Sequence, residues 1–197
     1  MFDVVLRNGT IYDGSGSPPY QGDLAIQNDR ITALGAPGTL EGTTIIDVTG
    51  LAVAPGFINM LSWSVESLIQ DGRSQSEIRQ GVTLEVMGEG TSMGPLSEKM
   101  KATAVRGILG NEDIKYDVEW TTLGEYLEFL ERRGVSTNVA SFVGSSTLRI
   151  HQIGYDDRPP TELELANMCE LVREAMREGA VGLSSALIYP PASYAKT

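Results

Sequence analysis

A single cysteine and a single histidine occur in 197 residues. Cys169 has no intramolecular partner, which excludes an internal disulfide, and it shares a helical apolar stripe with Leu165, Val172 and Met176, which predicts core packing and not catalysis. His151 cannot assemble a metal site alone, and its setting in Leu148-Arg149-Ile150-His151-Gln152 predicts an amphipathic surface or loop position. Basic residues are also scarce, 15 Lys and Arg against 26 Asp and Glu for a net charge of −11, and they form no stripe. A nucleic-acid backbone would be repelled, so no nucleic-acid partner is expected. No apolar run approaches the ~18 residues a membrane span requires. The opening Met1-Phe2-Asp3-Val4-Val5 is strand-like, with neither a basic n-region nor an apolar h-region. These absences predict a cytoplasmic protein with no membrane partner.

What is present is the composition of a globular protein, 41% hydrophobic and 21% charged. The first part reads as β structure. Val4 to Leu6, Thr10 to Tyr12, Leu24 to Gln27, Arg30 to Leu34 and Thr44 to Val48 are short alternating or β-branched runs, separated by Gly14 to Pro19, Asn28-Asp29 and Ala36-Pro37-Gly38. Around the Asn28-Asp29 hairpin, Leu24, Ile26, Ile31 and Ala33 fall at alternate positions, and are expected to cover one face of a small sheet module.

After Pro55-Gly56 the period changes. Phe57 to Leu61 and Val82 to Met87 are continuous apolar runs of the kind a parallel, doubly covered strand needs, and the polar Val65 to Arg79 between them reads as helix. A second helix is predicted from Thr122, where Thr122 and Glu125 form a capping box and Leu123, Tyr126, Leu127 and Leu130 recur at helical spacing before Gly134. A third is predicted from Thr161, with Glu164 as box partner, to Gly179. Strands Asn138 to Val143 and Val181 to Leu187 flank it. Ser92 to Glu119 is long and weakly patterned, and reads as a loop excursion that lies over an active-site mouth.

The run Pro55-Gly56-Phe57-Ile58-Asn59-Met60-Leu61-Ser62-Trp63 resembles the opening barrel strand of amidohydrolases, where it reads Pro-Gly-Phe-Ile-Asp-x-His-x-His. Met1 to Gly16, Gln80 to Gly90, Phe142 to Arg149 and Gly179 to Pro191 follow in the order and at roughly the spacing of the D-aminoacylase branch, the N-acyl-D-amino-acid deacylases. Of these, the last block, Gly-Ala-x-Gly-Leu-Ser-x-x-Leu-x-Tyr-x-Pro, is the most specific. The resemblance covers nearly the whole chain and implies an α/β fold. A small β-sandwich module at 1–54, completed in the family by strands from the far C-terminus, precedes at 55–197 the first half of a (β/α)8 TIM barrel. A complete barrel needs ~250 residues, so an N-terminal piece of a longer polypeptide is expected, one that needs the remainder of its own chain to close the barrel.

The family's two first-strand histidines ligate a divalent metal. Here their positions hold Leu61 and Trp63, with Asn59 in place of the aspartate, and neither an isobutyl group nor an indole that only donates can coordinate zinc. After strand two the family reads Gly-Asn-Cys-Gly with a zinc-binding cysteine. The matching Gly88-Glu89-Gly90-Thr91 lacks it, but offers Glu89 one position away as a candidate oxygen ligand, the alternative being a solvated strand-end residue. After strand three the family's Gly-His becomes Gly144-Ser145-Ser146, which puts hydroxyls, Ser145 among them, where an imidazole stood. Tyr189, stiffened by Pro190 and Pro191, is the second candidate substrate contact; the alternative packs it under the rim.

The resemblance implies a hydrolase that cleaves the amide C–N bond of an N-acyl-D-amino acid, a small-molecule partner, by water activated on one zinc ion, with catalytic residues expected beyond Thr197. The alternative is a non-catalytic relative that keeps the barrel for binding or scaffolding. The substitutions at Leu61, Trp63 and Ser145 and the missing cysteine favour it.

Overall fold

The computed structural model describes residues 1–103 and 116–186. It divides into two compact units, Met1–Gly56 and Phe57–Thr197.

The first unit is a mixed sheet of order β3-β2-β1-β4, with β5 also on β1. Its strands are β1 (Phe2–Ile11), β2 (Tyr20–Gln27), β3 (Arg30–Gly35), β4 (Gly42–Asp47) and β5 (Ala52–Val53). Strands β1–β2 and β2–β3 pair antiparallel, while β4 and β5 lie parallel to β1. The two strands expected over Val4 to Leu6 and Thr10 to Tyr12 are one strand with a bulge, where Asn8 takes the left-handed conformation at φ 63°. The hairpin falls at Asn28-Asp29, with Asn28 at φ 54°. The face expected from its alternation is corrected by a register shift between Ala25 and Ile26. Ile26 pairs with Ile31 and Leu24 with Leu34, which puts Ala33 opposite Ala25 on the other face.

One buried carboxylate organises this unit. Asp23 accepts the backbone N–H groups of Asn8 (2.9 Å), Gly38 (3.0 Å), Thr39 (2.9 Å) and Leu40 (3.1 Å). The bulge of β1 and the loop 36–40 are thereby tied to β2, and four backbone donors are satisfied at once. Burial pushes this carboxyl upward, but the four N–H groups outweigh it and hold its pKa below the ordinary aspartate value.

The second unit opens with the parallel sheet β6 (Phe57–Asn59), β7 (Val82–Met87) and β8 (Asn138–Ser141) in the order β6-β7-β8, followed by the parallel pair β9 (Val143–Gly144) and β10 (Leu183–Ser184). The crossover expected to be one helix over Val65 to Arg79 is two single turns, α1 (Ser67–Gln70) and α2 (Gln75–Ile78). The chain breaks between them at Gly72, where an added Cβ would meet the Gly134 carbonyl oxygen at 2.6 Å, and at Ser74, at φ 44°. The excursion after β7 is not all loop, since it holds α3 (Glu98–Thr103).

Both capping-box helices form as spaced. In α4 (Leu123–Arg133), the Thr122 hydroxyl accepts the Glu125 N–H at 3.2 Å and the Glu125 carboxylate accepts the Thr122 N–H at 3.1 Å. In α6 (Glu162–Arg177), Thr161 and Glu164 make the same pair at 3.2 and 2.7 Å. The core lies between these helices and the sheet, with Leu68, Met87, Met93, Leu96, Leu123, Tyr126, Leu130 and Val143 all fully buried. Trp120 sits at its centre, its indole N–H on the Met93 carbonyl at 2.6 Å and its ring against Tyr116, Tyr126 and Phe129.

Cys169 is exposed, which corrects the expected core packing. The face of α6 that meets the core carries Met168, Leu171, Val172 and Ala175, while Leu165 and Met176 point outward. Two apolar stripes with helical spacing overlap on this helix, and docking selects the one containing Ala175. No described helix is long and apolar enough to cross a membrane.

Candidate active site

Register brings the carboxyl ends of the strands to one rim. Ser62 donates its N–H to the Val86 carbonyl (2.9 Å), and Phe142 donates to that of Met87 (2.8 Å). Leu183 and Ser184 pair with Val143 and Gly144. Residues 60–63, 88–91, 144–147 and 184–186 therefore follow one another around a single edge, the place where catalytic groups gather in parallel α/β sheets.

Glu89 stands in a turn made of left-handed glycines, Gly88 at φ 92° and Gly90 at φ 65°. Side chains there would collide: a Cβ on Gly88 would fall 2.2 Å from the Phe142 carbonyl oxygen, and one on Gly90 2.8 Å from the Ala186 methyl. The glycines let β7, β9 and the residues after β10 close around the turn, and they leave Glu89 as its one side chain.

Hydroxyl groups lock this arrangement. The Ser184 hydroxyl accepts the Gly90 N–H (3.0 Å) and donates to the Gly88 carbonyl, which closes a bracket across the Glu89 turn. The Ser146 N–H donates to the Gly90 carbonyl at 2.8 Å. One residue on, the Thr147 hydroxyl accepts the Ser92 N–H (2.7 Å) and donates to the Ser92 carbonyl (3.1 Å), while the Ser92 hydroxyl accepts the Gly144 N–H (3.0 Å) and donates to the Gly94 carbonyl (2.6 Å). Glu89 is half-buried, and among the described residues its carboxylate has no hydrogen-bond or ion-pair partner. Its surroundings hold it in place through the backbone and leave its oxygens available.

Ser145 is the first residue of α5 (Ser145–Ile153) and half-buried, next to the bracket. Tyr189 lies outside the described residues, as does Leu187 of the expected fourth strand. His151 is half-buried on α5, away from the rim, with its Nδ1 2.9 Å from Gln152, and burial lowers its pKa. Leu61 and Trp63 reach the rim and are more than half exposed among the described residues. A cavity of about 610 Å³ lies elsewhere, along α4, lined by Glu125, Glu128, Glu131, Val139 and Glu178, and it takes in none of the candidate residues.

Sequence reasoning passed over two groups. Ser184 is the bracket of the Glu89 turn, and its signal was its place in the specific Gly179 to Pro191 block. Glu85, in the middle of apolar β7, is fully buried and accepts the hydroxyls of Ser62 (2.5 Å), Ser74 (2.9 Å) and Thr137 (2.9 Å). Its signal was a lone carboxylate in an otherwise apolar strand. Through Ser62 it fixes the segment that presents Leu61 and Trp63.

The geometry can be set beside known proteins. No family model matches the chain. Over its whole length it is 37% identical to the D-aminoacylase of Alcaligenes xylosoxydans xylosoxydans, covering 40% of that protein. Across 99% of its length it is 35% identical to the N-acyl-D-aspartate deacylase of the same organism, covering 39%. A crystal structure of a D-aminoacylase superposes with a TM-score of 0.85 at 31% identity, over 98% of this chain and 40% of that one. This chain belongs to the D-aminoacylase family of amidohydrolases. It spans about two-fifths of the length of these relatives and corresponds to their N-terminal part.

Family members carry metal. The N-acyl-D-glutamate deacylase of Bordetella bronchiseptica, 28% identical with a TM-score of 0.85 over 99% of this chain and 40% of that one, was solved with zinc and a phosphonate that mimics the tetrahedral intermediate. A D-aminoacylase structure is described as a binuclear centre in which one metal activates and the second attenuates. The described residues here form no group of three or more histidine, cysteine or carboxylate side chains able to hold a metal ion. They do not build such a centre themselves, and Glu89 is the ligand-type side chain they bring to the rim.

Proposed function

We propose that the chain is the N-terminal part of a (β/α)8 hydrolase that cleaves the amide C–N bond of N-acyl-D-amino acids in the cytoplasm. Relatedness to D-aminoacylases along the whole chain carries this reading, and the braced presentation of Glu89 supports it. In this reading Glu89 supplies one oxygen ligand to a single zinc ion, and residues outside the described ones supply the rest. Zinc, when bound, lowers the pKa of a water to ~7 and polarises a carbonyl. The described residues set the frame. Gly88 and Gly90 allow the close approach of strand ends, Ser184 and Ser146 hold the turn, and Ser145 and Tyr189 offer hydroxyls to the polar end of the substrate.

The test is metal content and turnover of the enzyme carrying this chain, before and after Glu89→Gln. A neutral amide is a poor ligand, so zinc occupancy or kcat should fall at least tenfold, about 1.4 kcal/mol. Equal zinc and equal turnover in the two proteins eliminates the role given to Glu89. A second reading, a non-catalytic relative, draws on the resemblance of the first strand, which implies that Leu61 and Trp63, side chains unable to hold a metal, fall at the positions of ligating histidines. Zinc-free protein without activity on acylated D- or L-amino acids decides for it.

A further inference from the structure

Ser92 and Thr147 form a clasp of two hydroxyls between the segment that follows β7 and the first turn of α5. The Thr147 hydroxyl accepts the Ser92 N–H and donates to the Ser92 carbonyl, at 2.7 and 3.1 Å, so one side chain satisfies both backbone groups of a single residue. The Ser92 hydroxyl in turn accepts the Gly144 N–H at 3.0 Å and donates to the Gly94 carbonyl at 2.6 Å. Thr147 is 0% and Ser92 1% exposed, and added polypeptide could only deepen that burial. Both hydroxyls are enclosed and spent on backbone, so neither meets a substrate.

The clasp joins the two segments that carry candidate site residues. Between Glu89 and Ser92 the turn is closed, because the Thr91 N–H donates to the Glu89 carbonyl at 2.6 Å and the Gly90 carbonyl accepts the Ser146 N–H at 2.8 Å. Ser145 lies between Gly144 and Ser146, and both of these donate their N–H groups across to the segment after β7. The two backbones touch, since a Cβ on Gly144 would stand 2.5 Å from the Gly90 carbonyl oxygen. Glu89 and Ser145 therefore hang from one frame, which cannot shift without leaving buried backbone groups unpaired. Such rigidity matters to chemistry, where a misplacement of about 1 Å costs about 100-fold in rate. Resting on the hydrolase reading, in which Glu89 and Ser145 both meet the reactants, we propose that Ser92 and Thr147 are positioning residues. They touch no substrate, and they fix the Glu89 carboxylate and the Ser145 hydroxyl relative to each other.

The test uses the enzyme carrying this chain, at a temperature where circular dichroism shows each variant folded. Thr147→Val keeps the shape of the side chain without its hydroxyl, and Thr147→Ser keeps the hydroxyl. With an N-acetyl-D-amino acid, kcat per folded molecule should fall roughly ten- to hundredfold in Thr147→Val and stay within about threefold of wild type in Thr147→Ser. A purely structural role would lower the denaturation midpoint and leave kcat of the folded molecules unchanged. That result overturns the inference and leaves the hydrolase reading standing. If Thr147→Val does not fold, Ser92→Ala, which removes the acceptor of the Gly144 N–H, carries the same expectation and the same reversal. Hydrogen exchange follows the frame apart from the chemistry. The Ser92 amide should gain more in exchange rate in Thr147→Val than the amides of the first unit's sheet, and equal gains overturn the proposal whatever the turnover. Wild type that protects the Ser92 amide but hydrolyses no acylated amino acid removes the hydrolase reading, and the positioning role falls with it.

Discussion

Each unit of this chain contains a carboxylate with no exposed surface, and the two are held in different ways. Asp23 of the first unit is gripped by four backbone N–H groups, whereas Glu85 of the second is gripped by three side-chain hydroxyls. Backbone donors cannot turn away when their acceptor is lost. Hydroxyls can rotate toward water or a neighbouring carbonyl. The first arrangement therefore fixes a loop and a bulge rigidly. The second fixes three side chains, one of which positions the rim, at lower structural stakes.

The sharpest way to break this comparison is Asp23→Ala. It strands four backbone donors, and at ~1–3 kcal/mol for each group left unsatisfied the loss should reach about 3 kcal/mol or more even after some donors find water. Chemical denaturation of the protein with and without the substitution measures it, and a loss under about 1 kcal/mol would show that the loop 36–40 does not depend on the carboxylate. The same group should give an acid signature. Its pKa lies below the ordinary value of 3.8 in the folded protein, so its stabilisation is complete above that pH and is lost as the pH falls through the folded pKa. Asp23→Ala removes this part of the acid sensitivity.

Glu85→Leu comes next, with an expected loss of about 2 kcal/mol, because three hydroxyls lose their acceptor but retain rotational freedom. Glu85→Gln, which keeps an acceptor oxygen, should cost less. A larger loss for Glu85→Leu than for Asp23→Ala would reverse the comparison. The smallest effect is expected at a helix terminus. Thr161→Ala removes the hydroxyl that caps α6 and should cost about 1 kcal/mol, readable as a small shift in the denaturation midpoint. Its box partner Glu164 also binds Arg158, and chiefly for that reason its carboxyl is lowered to about 2. That contribution is present above the ordinary glutamate range and is lost only as the pH falls toward about 2, so a neutral-pH titration should not detect it.

Much of the fold is legible in the sequence. Both capping boxes, the hairpin at Asn28-Asp29, the parallel strand at Val82 to Met87 and the change of period after Gly56 rest on contacts close in sequence or on a repeat of fixed length, and these act locally. The reading of Leu61 and Trp63 as unable to ligate a metal rests on their side-chain chemistry alone. The candidate site was half legible. Glu89 between two glycines could be picked out, but not the bracket that Ser184 makes from a distant strand.

Residue chemistry and local spacing thus determined which groups the described residues possess: one candidate carboxylate at the rim with no histidine beside it, an excess of acidic over basic side chains and capped helices. Which of two overlapping stripes on α6 is buried, and so the exposure of Cys169, was decided by docking against the sheet. The break between α1 and α2 was decided by the close approach of Gly72 to the Gly134 backbone, and the face of Ala33 by a one-residue register shift in the hairpin. The burial of Glu85 was settled when Ser62, Ser74 and Thr137, far apart in the chain, converged on it. The hairpin shift apart, the energy in each case comes from contacts between residues remote in sequence, which no local pattern of apolar and polar residues encodes.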